Sequence, residues 1–572
     1  MDTTNNLMFK HQETEQGHKP LRIGIMLDTM EIPAWIHKIL LDIGNTPFLK
    51  LQLIVLNASS PLKKSTATFA EKLKGFHKAG LYYRYSAYDY RRYKANKDAF
   101  ASVNITNSFT GVAILPVRPI QKKFTDRFNE DDISAIKRAE LDVLLRFGFR
   151  IIKGEILNCA RYGVWSYHHG DDREYRGGPA LFWEIYENNP LSGVMLQVLS
   201  EELDAGKVLY RSISATVPDS LYLNRNETYW KGAEFVMRRL SDLHNYGWQY
   251  LESLDTYREP NLYKKSIYIT PDNWRMTKFL IKVLNNKTKN RISSVFYYPN
   301  PQWFIAVGPK RGFRDKPLRS DYKLLVPPKD RFYADPFLHK KDGKTWLFME
   351  DYRYSKSKGL ISVCELDHHG NVSEPRVVLE RDYHLSYPFV FEWQDQVYMM
   401  PETFGSKTIE LYRAVRFPDE WVLDRVLIKD IRAVDATLFE KSGKFWLFTN
   451  VSVEGGSTWD ELFVYMADSP LGPWKPHPKN PVISDVRVAR PGGKLFYDQG
   501  ELIRPVQDSS VCYGHAINFR RVNILSETDY QEETVSRISP EWMPGNLGTH
   551  TFNSSEEFQV LDGKMWRRRS WW

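Results

Sequence analysis

The stretch ADPFLHKKDGKTWLFMED, residues 334–351, sets two aromatic and aliphatic runs on either side of the hairpin turn KKDGK, and it recurs down the chain. SYPFVFEWQDQVYMMPET (386–403), VDATLFEKSGKFWLFTN (434–450) and RPGGKLFYDQGELIRPVQD (490–508) repeat it. Asp335 to Glu350, Tyr387 to Glu402 and Asp435 to Asn450 are each 15 residues apart, and the fourth copy slips by one. A fifth, more divergent copy, HTFNSSEEFQVLDGK, starts at His550. Starts at 335, 387, 435, 490 and 550 give steps of 52, 48, 55 and 60 residues. Repeats of that size suit four-stranded blades, so residues 297–565 are expected to form a five-bladed β-propeller, with WFIAVG (303–308) completing the last blade.

Upstream, the texture changes. Residues 21–215 alternate strand-like runs (LRIGIMLD, LQLIVLNAS, DVLLRFGF, GVWSYHH, KVLYRSISA) with amphipathic stretches. That order predicts an α/β, Rossmann-like, mostly parallel sheet with covering helices. NETYWKGAEFVMRRLSDLHNYGWQYLES turns to helical spacing, so residues 216–296 read as a helical appendage and linker. Residues 1–20 are polar and expected to be disordered, and 566–572 form a basic, Trp-rich tail.

The chain has 572 residues, and that length predicts about three domains. With 42% apolar and 26% charged residues it is ordinary globular protein, and its 14% aromatic content favours β architecture and ligands that stack. A net charge of +9 is mild for the length and calls for no nucleic acid. Cys159, Cys364 and Cys512 have neither disulfide-framework nor metal-ligand spacing, and no metal is expected. The start lacks the apolar core of a signal peptide, and no run of about 18 apolar residues occurs, so a cytoplasmic protein is expected. In the tail, Lys564 and Arg567–Arg569 lie among Trp566, Trp571 and Trp572, a composition suited to weak contact with an anionic membrane surface, or to a solvated end. The oligomeric state is not legible.

The densest chemistry lies in VWSYHHGDDREYRGGPALFWEIYENNPLSGVMLQVLSEELDAGKVL, residues 164–209, where polar residues leave an apolar strand. A histidine and a carboxylate there can stabilise an oxyanion and move a proton. Asp171 and Asp172, consecutive on a loop, read as solvated. The segment resembles the formyltransferases that use 10-formyltetrahydrofolate: His168 falls on the family's catalytic histidine, Tyr175-Arg176-Gly177 on its YRG, and Leu203-Asp204-Ala205-Gly206 on its L-D-x-G. The resemblance implies His168 and Asp204 as catalytic, with Ser166 where the family has asparagine. It also implies Arg146, Phe147, Gly148, Glu202, Leu203 and Gly206 around the folate, and Tyr175, Arg176 and Gly177 near the substrate. A charged loop, His169 to Arg173, replaces the family's apolar one.

In the propeller half, Asp335, Tyr387, Asp435 and Arg490 start equivalent strands, and Glu350, Glu402 and Asn450 end their partners. ADPF resembles the first-blade motif of five-bladed glycosidases. The wider span, about 300–565, resembles the propeller domain of glucosamine inositolphosphorylceramide transferases. Asp335, Glu350, Glu402, Asp435, Arg490 and His550 are therefore expected to meet substrate. The leading expectation is an enzyme that moves a formyl group from 10-formyltetrahydrofolate to an amino sugar, nucleotide- or glycan-linked, beside a carbohydrate-binding propeller. Two others stand: an altered formyltransferase-like domain in a glycan-binding or glycan-assembly protein, and a propeller with glycosidase or glycosyltransferase activity.

Overall fold

The computed structural model describes residues 19–59, 69–122, 124–202, 206–254, 267–298, 300–453 and 455–569. The chain divides into two units, one ending at Leu284 and the other running from Asn285.

In the first unit, β1 (Leu21–Leu27), β2 (Leu49–Asn57), β3 (Ala113–Val117), β4 (Val143–Arg146), β5 (Val164–His168), β6 (Leu191–Val198) and β7 (Lys207–Ala215) form one sheet, ordered β7-β6-β5-β4-β1-β2-β3. β1 to β5 pair in parallel, and β6 and β7 add antiparallel. The central strands are apolar on both faces, as a covered parallel sheet requires, with Ile23, Ile25, Leu144, Val164 and Trp165 fully buried.

The helix Leu221–Ser253, which sequence texture marks as an appendage, packs onto this sheet instead. Ser220 caps it by accepting from the Leu223 N–H (3.1 Å) and donates its own hydroxyl to Asp89 (2.9 Å). Trp230, Phe235, Val236 and Leu240 are buried, and Tyr167 of β5 donates to the Gly232 carbonyl (2.7 Å). The helix therefore holds β5, and with it the site, from one side.

The second unit is built of antiparallel sheets in the repeat order read from sequence. Arg331–Lys341, Lys344–Arg353, Lys358–Leu366 and Arg376–Leu379 form one sheet, and Ser386–Trp393, Gln396–Glu402, Thr408–Arg416 and Glu420–Lys429 the next. Ala433–Lys441, Lys444–Val451 and Glu461–Ala467 lead a third, and Phe496–Asp498, Glu501–Asp508, Ala516–Leu525 and Tyr530–Ile538 form a fourth. In the fifth, Gln302–Pro309 pairs with Phe558–Met565, joining the unit's first strand to its last.

The 15-residue spacing reappears as strand register. Ala334 faces Glu350, Ser386 faces Glu402 and Val434 faces Asn450, and each pairing then skips to Phe337, Phe389 or Thr437. The first residue skipped in each is Asp335 (φ 51°), Tyr387 (φ 45°) or Asp435 (φ 54°), held in left-handed backbone that non-glycine residues rarely adopt. In the fourth repeat Arg490 precedes the strand, because Pro491 makes only an isolated bridge to Val506 and regular pairing starts at Phe496.

One glycine is fixed by close approach. A Cβ on Gly148 would lie 2.4 Å from the Asp28 backbone nitrogen, and the Gly148 N–H donates to the Met26 carbonyl (3.0 Å). Gly148→Ala is expected to lower the first unit's unfolding free energy by about 2 kcal/mol in urea titration, through overpacking against backbone that cannot yield. A loss below about 0.5 kcal/mol would contradict that close approach.

Candidate functional sites

At the C-terminal ends of β1, β4 and β5 the first unit gathers Asp28, Arg146, Ser166 and His168, the edge where open α/β sheets take ligands. Ser166 is buried, and its Oγ accepts from Arg146 Nη1 (3.0 Å). Arg146 Nη2 donates to the carbonyls of Phe149 (2.9 Å) and Arg150 (2.6 Å), while its buried Nε has no hydrogen-bond partner. His168 Nε2 is 2.9 Å from the Tyr175 carbonyl. A carbonyl only accepts, so the proton sits on Nε2 and Nδ1 is the nitrogen left over.

Two cavities meet at Arg146, Ser166 and Tyr167. One, of ≈ 120 Å³, includes His168, Ile151, Gln197, Glu202 and Gly206. The other, of ≈ 440 Å³, includes Asp28, Glu31, Trp35, Phe147, His169 and Tyr229. His169 stacks on Tyr229 (3.6 Å between ring centres), its Nε2 lacks a partner, and burial lowers its pKa to about 3, so the ring is neutral. The arrangement offers a guanidinium and a hydroxyl to an anion or developing oxyanion between the cavities. The cavity at His168 is the smaller of the two, and the Arg146 guanidinium between them already occupies the Phe149 and Arg150 carbonyls.

The remaining residues of this set have structural employment. Phe147 packs edge-on against Trp35 (5.6 Å). Tyr175 donates to Glu187 (3.1 Å) and accepts from Asn189 (3.1 Å). The Arg176 carbonyl accepts from Tyr268 N–H (2.8 Å), and a Cβ on Gly177 would lie 2.2 Å from the Tyr268 oxygen. Gly206 is fixed by Val198, whose carbonyl would sit 2.1 Å from an added Cβ. Leu203 and Asp204 lie outside the described residues. Asp172 is buried and paired with Arg211 (2.9 Å), which corrects the expectation of a solvated carboxylate, because the loop folds back over β7.

In the second unit the bulged residues converge. Asp335 Oδ1 accepts from Thr551 Oγ1 (2.7 Å) and lies 3.3 Å from His550 Nε2, and Oδ2 accepts from the Tyr387 N–H (3.2 Å). His550 Nδ1 is 2.6 Å from Asp562 Oδ2, and Asp562 Oδ1 accepts the N–H groups of His550 (2.7 Å) and Thr551 (3.1 Å). Burial opposes charge on His550, but Asp562 and Asp335 together raise its pKa. Asp335, His550 and Asp562 bring their ligand atoms within 4.8 Å of one another, a spacing at which three such groups can share a metal ion.

Asp435 is held by Arg490 Nε (2.6 Å) and Nη2 (3.2 Å) and by Gln507 Nε2 (2.7 Å). Glu350 and Glu402 differ from these. Burial first, then the surrounding carboxylates, push Glu350 well above the usual range, and burial and Asp435 do the same to Glu402 against the pull of the Arg490 guanidinium 3.6 Å away. His384 Nδ1 accepts from the Gly359 N–H (2.9 Å), which leaves its Nε2–H 3.5 Å from Glu350. Half-buried aromatics adjoin the acids: Tyr513 lies over the Arg490 guanidinium (5.1 Å) and 5.8 Å from Trp459.

Residues 326–560 match the sequence model of a family described as "Glucosamine inositolphosphorylceramide transferase 1, N-terminal". Glucosamine inositolphosphorylceramide transferase 1 of Oryza sativa subsp. japonica is 39% identical over 209 residues, which is 36% of this chain and 28% of that protein. The Arabidopsis thaliana protein of that name is 36% identical over 208 residues, 36% of this chain and 27% of its own length. The chain thus spans just over a quarter of these relatives. Methionyl-tRNA formyltransferase of Azobacteroides pseudotrichonymphae genomovar. CFP2 is 26% identical over 163 residues, 28% of this chain and 48% of that protein. Among solved structures, a thermostable family-43 glycoside hydrolase aligns with a TM-score of 0.30 at 13% identity, covering 38% of this chain and 83% of that one. The expectation of a cytoplasmic protein is overturned by the first of these matches: the relatives are named for a ceramide, a membrane lipid, and the absence of a long apolar helix among the described residues does not decide the compartment.

Asp562, Gln507, His384, Tyr513 and Trp459 escaped sequence reading. LDGK looks like a turn, yet Asp562 lies inside the strand Phe558–Met565, and only the pairing of that strand with Gln302–Pro309 brings it to His550. Glu350 yields a sign-definite test. Its folded pKa is raised, so the folded state holds the proton more tightly and Glu350 costs stability as pH climbs above the ordinary carboxylate range. Glu350→Gln is expected to stabilise the protein by more than about 1 kcal/mol at pH 8, with the gain vanishing by about pH 3.5, in urea unfolding at the two values. An equal effect at both would refute a protonated Glu350.

Proposed function

We propose that the chain is a glycan-assembly protein of transferase type whose second unit is a five-bladed propeller that holds a carbohydrate. The pairing of Gln302–Pro309 with Phe558–Met565 supports ring closure by a strand from each end of the unit. The observation that carries the reading is the contrast within one buried cluster: Asp335 and Asp435 are fully engaged, while Glu350 lies 3.5 Å from His384 and Glu402 lies 3.6 Å from the Arg490 guanidinium at an edge lined by Tyr513 and Trp459.

Hydrolysis of a glycoside needs one ionised carboxylate and one acid at a set separation. Here Asp335 and Asp435 are spent on His550 and Arg490, and burial drives both Glu350 and Glu402 towards the protonated form. Protonated carboxyls donate and accept like a sugar's own hydroxyls, and the aromatic faces suit its C–H surface. Binding is therefore favoured over cleavage. The relatives' name, which joins glucosamine to an inositolphosphoryl lipid, supports an amino sugar or inositol phosphate as the bound group.

In this reading the first unit is an altered formyltransferase-like domain. Ser166, the Arg146 guanidinium beside it and the small cavity at His168 support a centre that has moved away from folate, and the larger aromatic cavity suits a sugar-sized ring. Titration with glucosamine, N-acetylglucosamine and myo-inositol phosphate, followed by tryptophan fluorescence and calorimetry, is expected to saturate with at least one of them. Trp459→Ala or Tyr513→Ala should then weaken binding about tenfold, the worth of one lost stacking contact. No saturation, or binding indifferent to both changes, overturns the reading. In the same mixtures 10-formyltetrahydrofolate should persist; tetrahydrofolate release abolished by His168→Ala would restore folate chemistry.

A further inference from the structure

As far as Arg569 the basic tail is held against the second unit, and Trp571 and Trp572 lie outside the described residues. Within the second unit the Tyr298 N–H donates to the Arg567 carbonyl (3.0 Å), the Arg569 N–H donates to the Phe296 carbonyl (2.9 Å), and Tyr297 and Arg568 form an antiparallel bridge. The Arg567 guanidinium is an anchor, lying 4.3 Å from the Tyr298 ring centre and 4.2 Å from that of Tyr354, and donating to the Lys329 carbonyl (2.5 Å). The tail is thereby fixed along the end of the helix Asn273–Phe296.

The surface so formed is both apolar and cationic. Ile292 is 57% exposed, Val295 45%, Phe296 56% and Trp566 42%. At about 100° of turn per residue, Ile292, Val295 and Phe296 share one side of the helix. Lys287, Lys289 and Arg291 stand exposed on the same turns, and Arg568 and Arg569 are exposed beside Trp566. Residues 285–298 and 564–569 contain no Asp or Glu. Large side chains left in water beside unopposed cations mark an interaction surface rather than a solvated face.

We infer that this face docks on an anionic membrane surface, with Ile292, Val295, Phe296 and Trp566 entering the interface and Lys287, Lys289, Arg291, Arg568 and Arg569 meeting lipid phosphates and carboxylates. The charge selects this occupant. A second copy paired through the same face would set cation against cation, and nucleic acid would leave the apolar side chains without a partner. Interfacial helices combine these two features, each cation adding attraction to an anionic leaflet and the apolar side chains adding burial. Neither the carbohydrate site nor the first unit is needed for it.

The full chain would be sedimented with vesicles of phosphatidylcholine alone or with about 30 mol% phosphatidylserine, at low and at physiological salt. Binding should be at least tenfold tighter to the serine-containing vesicles and should fall as salt rises. Ile292→Glu with Phe296→Glu, and separately Lys287→Gln, Lys289→Gln and Arg291→Gln together, should each lower it about tenfold. Thermal unfolding should be unchanged, since all five side chains are exposed. Val415→Glu, on an apolar residue 59% exposed elsewhere in the unit, should leave binding intact. Equal binding to both vesicle types, variants that bind like the parent, or a dimer in sedimentation velocity that these variants dissolve would overturn the inference.

Discussion

Asp335 and its partners decide what the second unit can be. Its backbone sits in a left-handed conformation that costs roughly 1–2 kcal/mol, and its buried carboxylate would cost several more without partners. The adjacent His550 and Thr551 and the distant Tyr387 N–H answer that cost. The fully buried Tyr387 extends the tie, its hydroxyl bonding Thr437 Oγ1 (2.9 Å) and accepting the Gly493 N–H (2.8 Å). Strands far apart in sequence are thus fastened through polar groups that have no solvated alternative. The same fastening occupies both Asp335 carboxylate oxygens, and burial leads the influences that push its pKa up to about 6.

Much of this was legible before any coordinates. The spacing of Asp335, Tyr387 and Asp435 from Glu350, Glu402 and Asn450 is the spacing of a bulge from its hairpin partner, and register preserves such a bulge because a one-residue slip would exchange the buried and exposed faces. Sequence could not reveal what each acid is spent on. Asp335 and Asp435 hold equivalent positions in the repeat, yet one is answered by Thr551 and His550 and the other by Arg490 and Gln507. That difference depends on Asp562 and Gln507, which repeat alignment does not select.

The first unit teaches a related lesson. Its strands declare themselves as apolar runs, and the polar exit of β5 marks the ligand edge. The pairing of Ser166 with Arg146 arises from neighbouring parallel strands whose ends are level, a relation no linear spacing encodes. Residues that match a formyltransferase pattern, such as Tyr175 and Gly177, prove to be bound up in local structure as well. A motif can persist because the fold needs it, whatever becomes of the chemistry.

The central claim is that Asp335 is a tie between sheets and not a catalytic base. A double-mutant cycle of Asp335→Asn and His550→Gln, followed by urea unfolding at neutral pH, tests it most directly. A tie predicts a coupling energy of about 2 kcal/mol or more, as expected for groups sharing one buried polar network. Coupling within about 0.5 kcal/mol of zero would contradict it.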